Sequence, residues 1–507
     1  MAGSQSQKID RVVITGTDLT VEVVSRIALG QATVELSASA LQNVARCRDY
    51  VARLMREGRK VYGVTTGFGS LASRSVQPEL ATELQKNLVR SHSTGVGDPL
   101  PQAIVRAAMA LRLNTLARGH SGISVDALLL LNECLNRGIT PFVPEHGSLG
   151  ASGDLAPLSH VALTLLGEGT VHFHGSWSNT SEVFSREGLL PVSLGPKEGL
   201  ALVNGTQMTS ALGCLGVVSA DNLIRAFENA GALTIEALGA GAEAFDKRIQ
   251  LLRPIPGQVE SAEYMRSLLR GSNSTGAMLR VQEPYSIRCI PQVHGAAREA
   301  LRFAEEILTI DINSVSDNPL LFPDENIALS GGNFHAQAVA MALDTLAIAL
   351  VPIANLSERR VERILNPVYS GLPAFLATEG GLNSGYMVTQ YTAASLLAES
   401  RILSHPASVD TASVSAGQED HASMGMASGK KLLRVERNLW YIAAIESMCA
   451  ARAAELANRV SGLGPASRAM YERVRSVVPQ TDKDIVLGPL IEELARVIAG
   501  PSVGWWL

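Results

Sequence analysis

Aromatic side chains are scarce in this chain, at 5% of 507 residues, although hydrophobic residues as a whole reach 46%. That balance argues against a β-sandwich and for packed Ala, Leu and Val helices. The five cysteines, Cys47, Cys134, Cys214, Cys289 and Cys449, form no CxxC and no even framework. They read as reduced thiols of a cytoplasmic protein. No polybasic run exists, and acids and bases are interspersed around a formal net charge of −5. Nothing here draws nucleic acid or an anionic membrane electrostatically. The opening MAGSQSQKID has no apolar core, so no secretory signal is expected. The most apolar stretch, AVAMALDTLAIALVPIANL at 338–356, is interrupted by Asp344, Thr345, Pro352 and Asn355. A membrane span needs ~20 mostly apolar residues, so this stretch is expected to be a buried helix of a soluble protein.

What is present is organised in two styles. DRVVIT alternates loosely and predicts one short strand before a helix carrying VEVVSRIAL. From 40 to 135 the pattern is helical, broken by Gly- and Thr-rich loops at 61–70 and 91–101. GTVHFHGSW and LLPVSLGPKEG, between 168 and 200, predict a hairpin and a loop. After 205 the helical period takes over. Ala297, Leu301, Ala304, Ile307 and Leu308 fall on one face at steps of three and four. YMVTQYTAASLLAESRIL and NLWYIAAIESMCAARAAELANRV are apolar over more than half their circumference, which suits the inside of a bundle or a contact between subunits. The expectation is a mainly α chain: an N-terminal mixed domain over 1–205, a long central helical bundle over 206–480, and a helical tail over 481–507.

One stretch asks for chemistry. HGSLGASGDLAPLSH, at 146–160, crowds three glycines around Ser152 before Asp154 and a helical run. A phosphate cradle would need GxGxxG or GK[ST], and Asp154 would repel an anion at the helix start. A hydrolase elbow needs GxSxG, but Asp154 stands where the second glycine belongs. A plain turn with Asp154 as helix N-cap and Pro157 in the first turn satisfies composition alone. A fourth reading uses every residue. If the Gly153 nitrogen attacks the Ala151 carbonyl carbon and water is lost, a five-membered ring closes; loss of water from Ser152 then leaves an exocyclic methylene. That sequence needs a small residue, a β-hydroxyl and a glycine in that order, and Ala-Ser-Gly supplies them.

GSLGASGDLAPLSH resembles the signature of the ammonia-lyases and aminomutases that use methylidene-imidazolone, the histidine and phenylalanine/tyrosine ammonia-lyase family. The resemblance continues in order through YGVTTGFG (62–69), LVNGTQ (202–207), QEPYSIRC (282–289), SVSDNPL (314–320), GGNFHA (331–336), GGLNSGYM (380–387) and SAGQEDHASM (415–424). It implies a methylidene-imidazolone formed autocatalytically from Ala151, Ser152 and Gly153, with no external cofactor and no metal. It assigns Tyr62 as the base that takes a β-proton, which for a phenol at neutral pH requires a shifted pKa from nearby cations or a helix N-terminus. Arg288 would hold the substrate carboxylate, suiting a planar guanidinium fork. Tyr285 would assist proton transfer and share a helical face with Arg288. Asn204 and Gln282 would hydrogen-bond substrate or the prosthetic ring, and Phe334 would stand beside it.

His92 in LVRSHSTG and Glu419 in GQEDH match the family's histidine-specific members. A carboxylate is matched to an imidazole N–H, whereas a purely aromatic substrate would leave it desolvated and unpaired. The implied activity is elimination of ammonia from L-histidine to urocanate, in a homotetramer whose sites combine residues from several subunits. SNSTGAML before the QEPYSIRC block, Tyr386 in GYM and Gln337 in FHAQAV depart from the commoner family pattern. A phenylalanine/tyrosine lyase, an aminomutase, or a lyase for a trimethylated, thiolated histidine would share the apparatus. A serine hydrolase using Ser152 and a non-catalytic helical scaffold are the rivals from other classes. His172 and His174 of HFH would share one face of a strand, with no third metal ligand nearby in sequence.

Overall fold

A computed structural model describes residues 10–67, 69, 77–278 and 280–504. The start of the chain, Phe68 of the YGVTTGFG block and Leu279 of SNSTGAML lie outside these. Helix dominates, with small two- and three-stranded sheets in the N-terminal part and one further hairpin at 320–329, so the mainly α expectation holds. The chain forms two compact units: Met1–Leu215 with Glu305–Met341 and Ala407–Lys430, and Gly216–Ala304 with Ala342–Pro406 and Lys431–Leu507.

The first unit begins with the predicted strand, Asp10–Ile14, paired in parallel with Ala32–Leu36. Helix Val21–Ala28 connects them, started by the Thr20 side chain accepting from the Val23 N–H. Ser37 and Ser124 cap helices Ala38–Arg56 and Val125–Asn136 in the same way. Helix Gln102–Ala117 has no polar face, and all but two of its residues are buried; it is a core helix. Strand Thr170–Phe173 pairs with Ser176–Asn179 as the predicted hairpin, and with Thr140–Pro141 on its other side. His174 sits beyond the strand end with φ 48°, so it does not share a strand face with His172.

The second unit is built from stretches 216–238, 290–304, 342–365 and 431–456 of long helices, with helix Met387–Leu403. Stretch 342–365 belongs to helix Gln337–Leu365, the one helix among the described residues long and apolar enough to cross a membrane. Its apolar window is 61% buried in protein, and Pro352 lies inside it. Helix Met387–Leu403 buries little of its surface within the chain. Only Thr389, Ala393, Leu397 and Ser400 are buried, while Val388, Tyr391 and Ile402 are exposed. One stripe of this apolar helix packs within the chain; the rest faces outward.

Candidate active site

The Ala-Ser-Gly segment is bent as its composition demands. Gly150, Ser152 and Gly153 all have positive φ, at 85°, 52° and 76°. For Ser152 this is a strained backbone held by its surroundings. At Gly153 no side chain fits: a Cβ would lie 2.3 Å from the Gly205 carbonyl oxygen. The Asp154 N–H donates to that oxygen at 2.7 Å, and Asn204 Nδ2 donates to the Ser152 carbonyl at 2.8 Å. The 204–205 turn therefore clamps the loop from one side. Ser423 and Met424 clamp it from the other, since a Cβ on Gly150 would strike the Ser423 hydroxyl and the Met424 N–H donates to the Leu149 carbonyl.

Asp154 stands at the N-cap position of helix Leu155–Leu165, but its side chain does not cap that helix. Instead it accepts from the Thr209 N–H at 2.7 Å, the Thr209 hydroxyl at 2.9 Å and the Ser148 hydroxyl at 3.1 Å. Burial raises its pKa to about 6 against the pull of these donors. The aspartate is a tether between the loop and helix Gln207–Leu238, not a helix cap.

Ser152 opens into a cleft of about 980 Å³ that Tyr62, His92, Asn204, Phe334 and Glu419 also line. Six of the residues singled out in the sequence thus meet around one space. Their local structures explain how. His92 is the last residue of helix Ala81–His92. Glu419 follows a tight turn in which Ser415, Ala416 and Gly417 all have positive φ and the Val414 N–H donates to the Glu419 carbonyl at 2.9 Å. The Ser152 hydroxyl donates to Glu419 Oε1 at 2.7 Å. Tyr62 receives the Gly69 N–H on its phenol oxygen at 3.0 Å.

The electrostatics are informative in sign. Burial raises the Tyr62 phenol, the Gly69 N–H partly opposes this, and the charge of Glu419 raises it further. The expected lowering by cations or a helix N-terminus is therefore not what the folded chain supplies. Burial lowers the His92 imidazole, against the Leu88 carbonyl and Glu419, which raise it. His92 is thus neutral at neutral pH, with Ser91 Oγ 3.1 Å from its Nδ1. Asn204 Oδ1 is buried without a hydrogen-bond partner.

Gln282, Tyr285 and Arg288 belong to the second unit and are not among the residues lining this cleft. Pro284 precedes a four-residue helix, Tyr285–Arg288, which places Tyr285 and Arg288 one turn apart. The Arg288 guanidinium lies over the Tyr285 ring at 4.3 Å from its centre. With its amide oxygen facing the guanidinium, Gln282 accepts from Arg288 Nε and Nη1 at 3.1 Å. Tyr285 is 67% exposed.

Sequence reasoning missed part of the cleft. Leu84, Asn87 and Leu88, on one face of helix Ala81–His92, form a wall, and Asn318 and Gln418 add amides. The spacing of three and four between Leu84, Asn87, Leu88 and Ser91 was the available signal. Asn318 is held by accepting from the Gly331 N–H at 2.8 Å, a contact no local pattern announces.

A family model described as aromatic amino acid lyase matches residues 19–476. The chain is 48% identical to a histidine ammonia-lyase of Symbiobacterium thermophilum, across 95% of this chain and 96% of that one. Its fold matches the crystal structure of histidine ammonia-lyase from Trypanosoma cruzi with a TM-score of 0.90 and 40% identity, covering 96% of this chain and 93% of that one. It also matches tyrosine aminomutase from Streptomyces globisporus with a TM-score of 0.92 and 40% identity, covering 96% and 97%.

Proposed function

Because this chain belongs to the aromatic amino acid lyase family, we propose that its cleft eliminates ammonia from L-histidine to give trans-urocanate. The observation that carries the choice of substrate is the pairing of His92 and Glu419 in one cleft with Ser152. Glu419 accepts one imidazole N–H of the substrate, and neutral His92 can serve the other ring nitrogen in either tautomer. Tyr62 takes the β-proton. Its pKa is raised partly by Glu419, so a substrate N–H that occupies this carboxylate also eases loss of the phenolic proton.

Ala151, Ser152 and Gly153 fit a self-formed methylidene-imidazolone. Two consecutive positive-φ residues compress the segment, a Cβ at position 153 is excluded, and Asn204 holds the Ser152 carbonyl with its own Oδ1 left unpartnered. Such a group supplies an electrophilic alkene to which the substrate's amino group can add. Phe334, which lines the same cleft, and Asn204, through its bond to the Ser152 carbonyl, are the residues that would hold such a group. Arg288, which does not line the cleft of its own chain, receives the substrate carboxylate as a contribution from another subunit; Gln282 and the Tyr285 ring hold its guanidinium, and Tyr285 assists proton transfer.

The assembly is a cytoplasmic homotetramer whose sites draw on several subunits. Exposed apolar Val388, Tyr391, Ile402, Ile348 and Met341 on two long helices support an association. Free cysteines, four of the five buried, suit a reducing compartment.

Purified protein mixed with L-histidine should develop the ultraviolet absorbance of urocanate, and its intact mass should fall short of the translated sequence by two waters. Ser152→Ala should keep the fold and lose most activity. Turnover of tyrosine or phenylalanine alone would overturn the substrate, and an unreduced mass would overturn the self-formed group. The likeness to an aminomutase makes a β-amino acid product the second outcome to assay.

A further inference from the structure

Arg360 and Glu446 form an ion pair with no exposed side-chain surface on either partner. Arg360 Nε donates to Glu446 Oε1 at 2.6 Å and Nη2 to Oε2 at 2.8 Å. Glu446 also accepts from the hydroxyls of Thr234 at 2.9 Å and Ser357 at 2.6 Å. The carboxylate is therefore saturated, and three long helices, Gln207–Leu238, Gln337–Leu365 and Gly425–Leu456, meet at one charge.

A buried pair of this kind is a weak stabiliser, because desolvation offsets most of its attraction. Its use must be sought in what else it holds. The remaining Arg360 nitrogen, Nη1, donates to the backbone carbonyl of Ser286 at 2.9 Å. Ser286 lies inside the four-residue helix that presents Tyr285 and Arg288. That helix is a single turn after Pro284, and although helix Ile290–Ile312 begins just after its cap residue Cys289, Pro291 provides no N–H for the Ile287 carbonyl, so the ladder joining the two is interrupted. The Ser286 hydroxyl, also buried, has no partner, so the carbonyl contact is the polar tie at this residue.

We propose that Arg360, locked by Glu446, is a positioning residue that aims the Tyr285–Arg288 turn and hence the carboxylate-binding guanidinium. This rests on the role given to Arg288 above. Arg360 itself touches no substrate. Its planar fork lets one side chain satisfy a carboxylate with one edge and a carbonyl with the other. A lysine would keep the charge for Glu446, but its three donors sit on one nitrogen and cannot span both the carboxylate and the Ser286 carbonyl, so Ser286 would be released.

The test compares two probes, urocanate, which has a carboxylate, and imidazole, which has none. Binding of each to the holoenzyme is measured by calorimetry, with the melting temperature recorded alongside. Arg360→Lys should weaken urocanate by about tenfold or more, as expected for a misaimed charged hydrogen bond, and leave imidazole unchanged. The KM for L-histidine should rise more than kcat falls. If Arg360→Lys does not fold, the paired replacement of Arg360→Met with Glu446→Met removes both charges at similar volume and carries the same expectation. Equal weakening of both probes, no weakening of either, or failure of both variants to fold would overturn the proposal, because the pair would then serve only helix packing. Wild-type protein that binds neither urocanate nor histidine would instead retire the reading of the site as a whole.

Discussion

The Ser148–Asp154 loop and the 431–456 stretch of helix Gly425–Leu456 solve the problem of holding a shape in opposite ways. In the loop, the tightest approach is backbone on backbone, Gly153 against Gly205, while Gly150 lies against the Ser423 hydroxyl. Other side chains act as tethers, such as Asp154 on Thr209. In the helix, side-chain charge sits inside the protein. Glu446 is fully paired, whereas Glu436 is fully buried with no well-formed hydrogen bond, the Ser219 hydroxyl being the one polar group that lowers its pKa. A backbone contact admits one residue type. A side-chain node admits exchange, provided that partners change together.

The largest contrast should come from Gly153→Ala. A left-handed φ and a Cβ 2.3 Å from the Gly205 oxygen together cost about 3 kcal/mol locally, as strain and overpacking. The loop is expected to leave its clamp, so the variant should show no loss of two waters by intact mass and no measurable urocanate. A normal mass deficit in this variant would show that the clamp is not needed.

A smaller effect is expected at Glu419→Gln. The amide keeps an acceptor for Ser152 but removes the charge, so kcat/KM for L-histidine should fall by about 10- to 100-fold, the worth of a charged hydrogen bond. The intact mass and melting temperature should be unchanged. A fall no larger for histidine than for tyrosine would remove Glu419 from imidazole recognition.

The smallest effect, of opposite sign, belongs to the helix. Burial holds the Glu436 carboxyl well above the ordinary carboxylate range, and Ser219, whose hydroxyl takes the Trp440 indole N–H, offsets only part of this. Below about pH 4 both folded and unfolded forms are protonated, and no penalty exists. As pH rises, the unfolded chain ionises and the folded one does not, so stability declines toward the raised folded pKa. Glu436→Gln should therefore match wild type near about pH 4 and gain about 1–3 °C in Tm near about pH 8. A destabilised variant at the higher pH would mean that the carboxyl has an unseen partner.

Much of the fold and the cleft could be read from residue order. The Asp10–Ile14 strand, the 170–179 hairpin and the long helices follow from local periodicity, and Ser152, Tyr62, His92, Asn204, Phe334 and Glu419 meet where motif order implied. What escaped depends on distance along the chain. Asp154 looks like a cap from its neighbours, but Thr209, 55 positions away, takes its side chain. Tyr62 needs a lowered pKa by its implied role, but burial beside Glu419 shifts it the other way. Helix Met387–Leu403 is apolar over more than half its circumference, and only packing reveals which stripe the chain itself buries. The Arg360–Glu446 pair spans 86 residues with no motif around either partner.

The Gly153–Gly205 abutment has a genetic corollary. The obstructing atoms, the carbonyl, its carbon and the amide nitrogen of Gly205, are common to all amino acids. No second mutation can shave them away. A screen for suppressors of Gly153→Ala should thus return true revertants and little else.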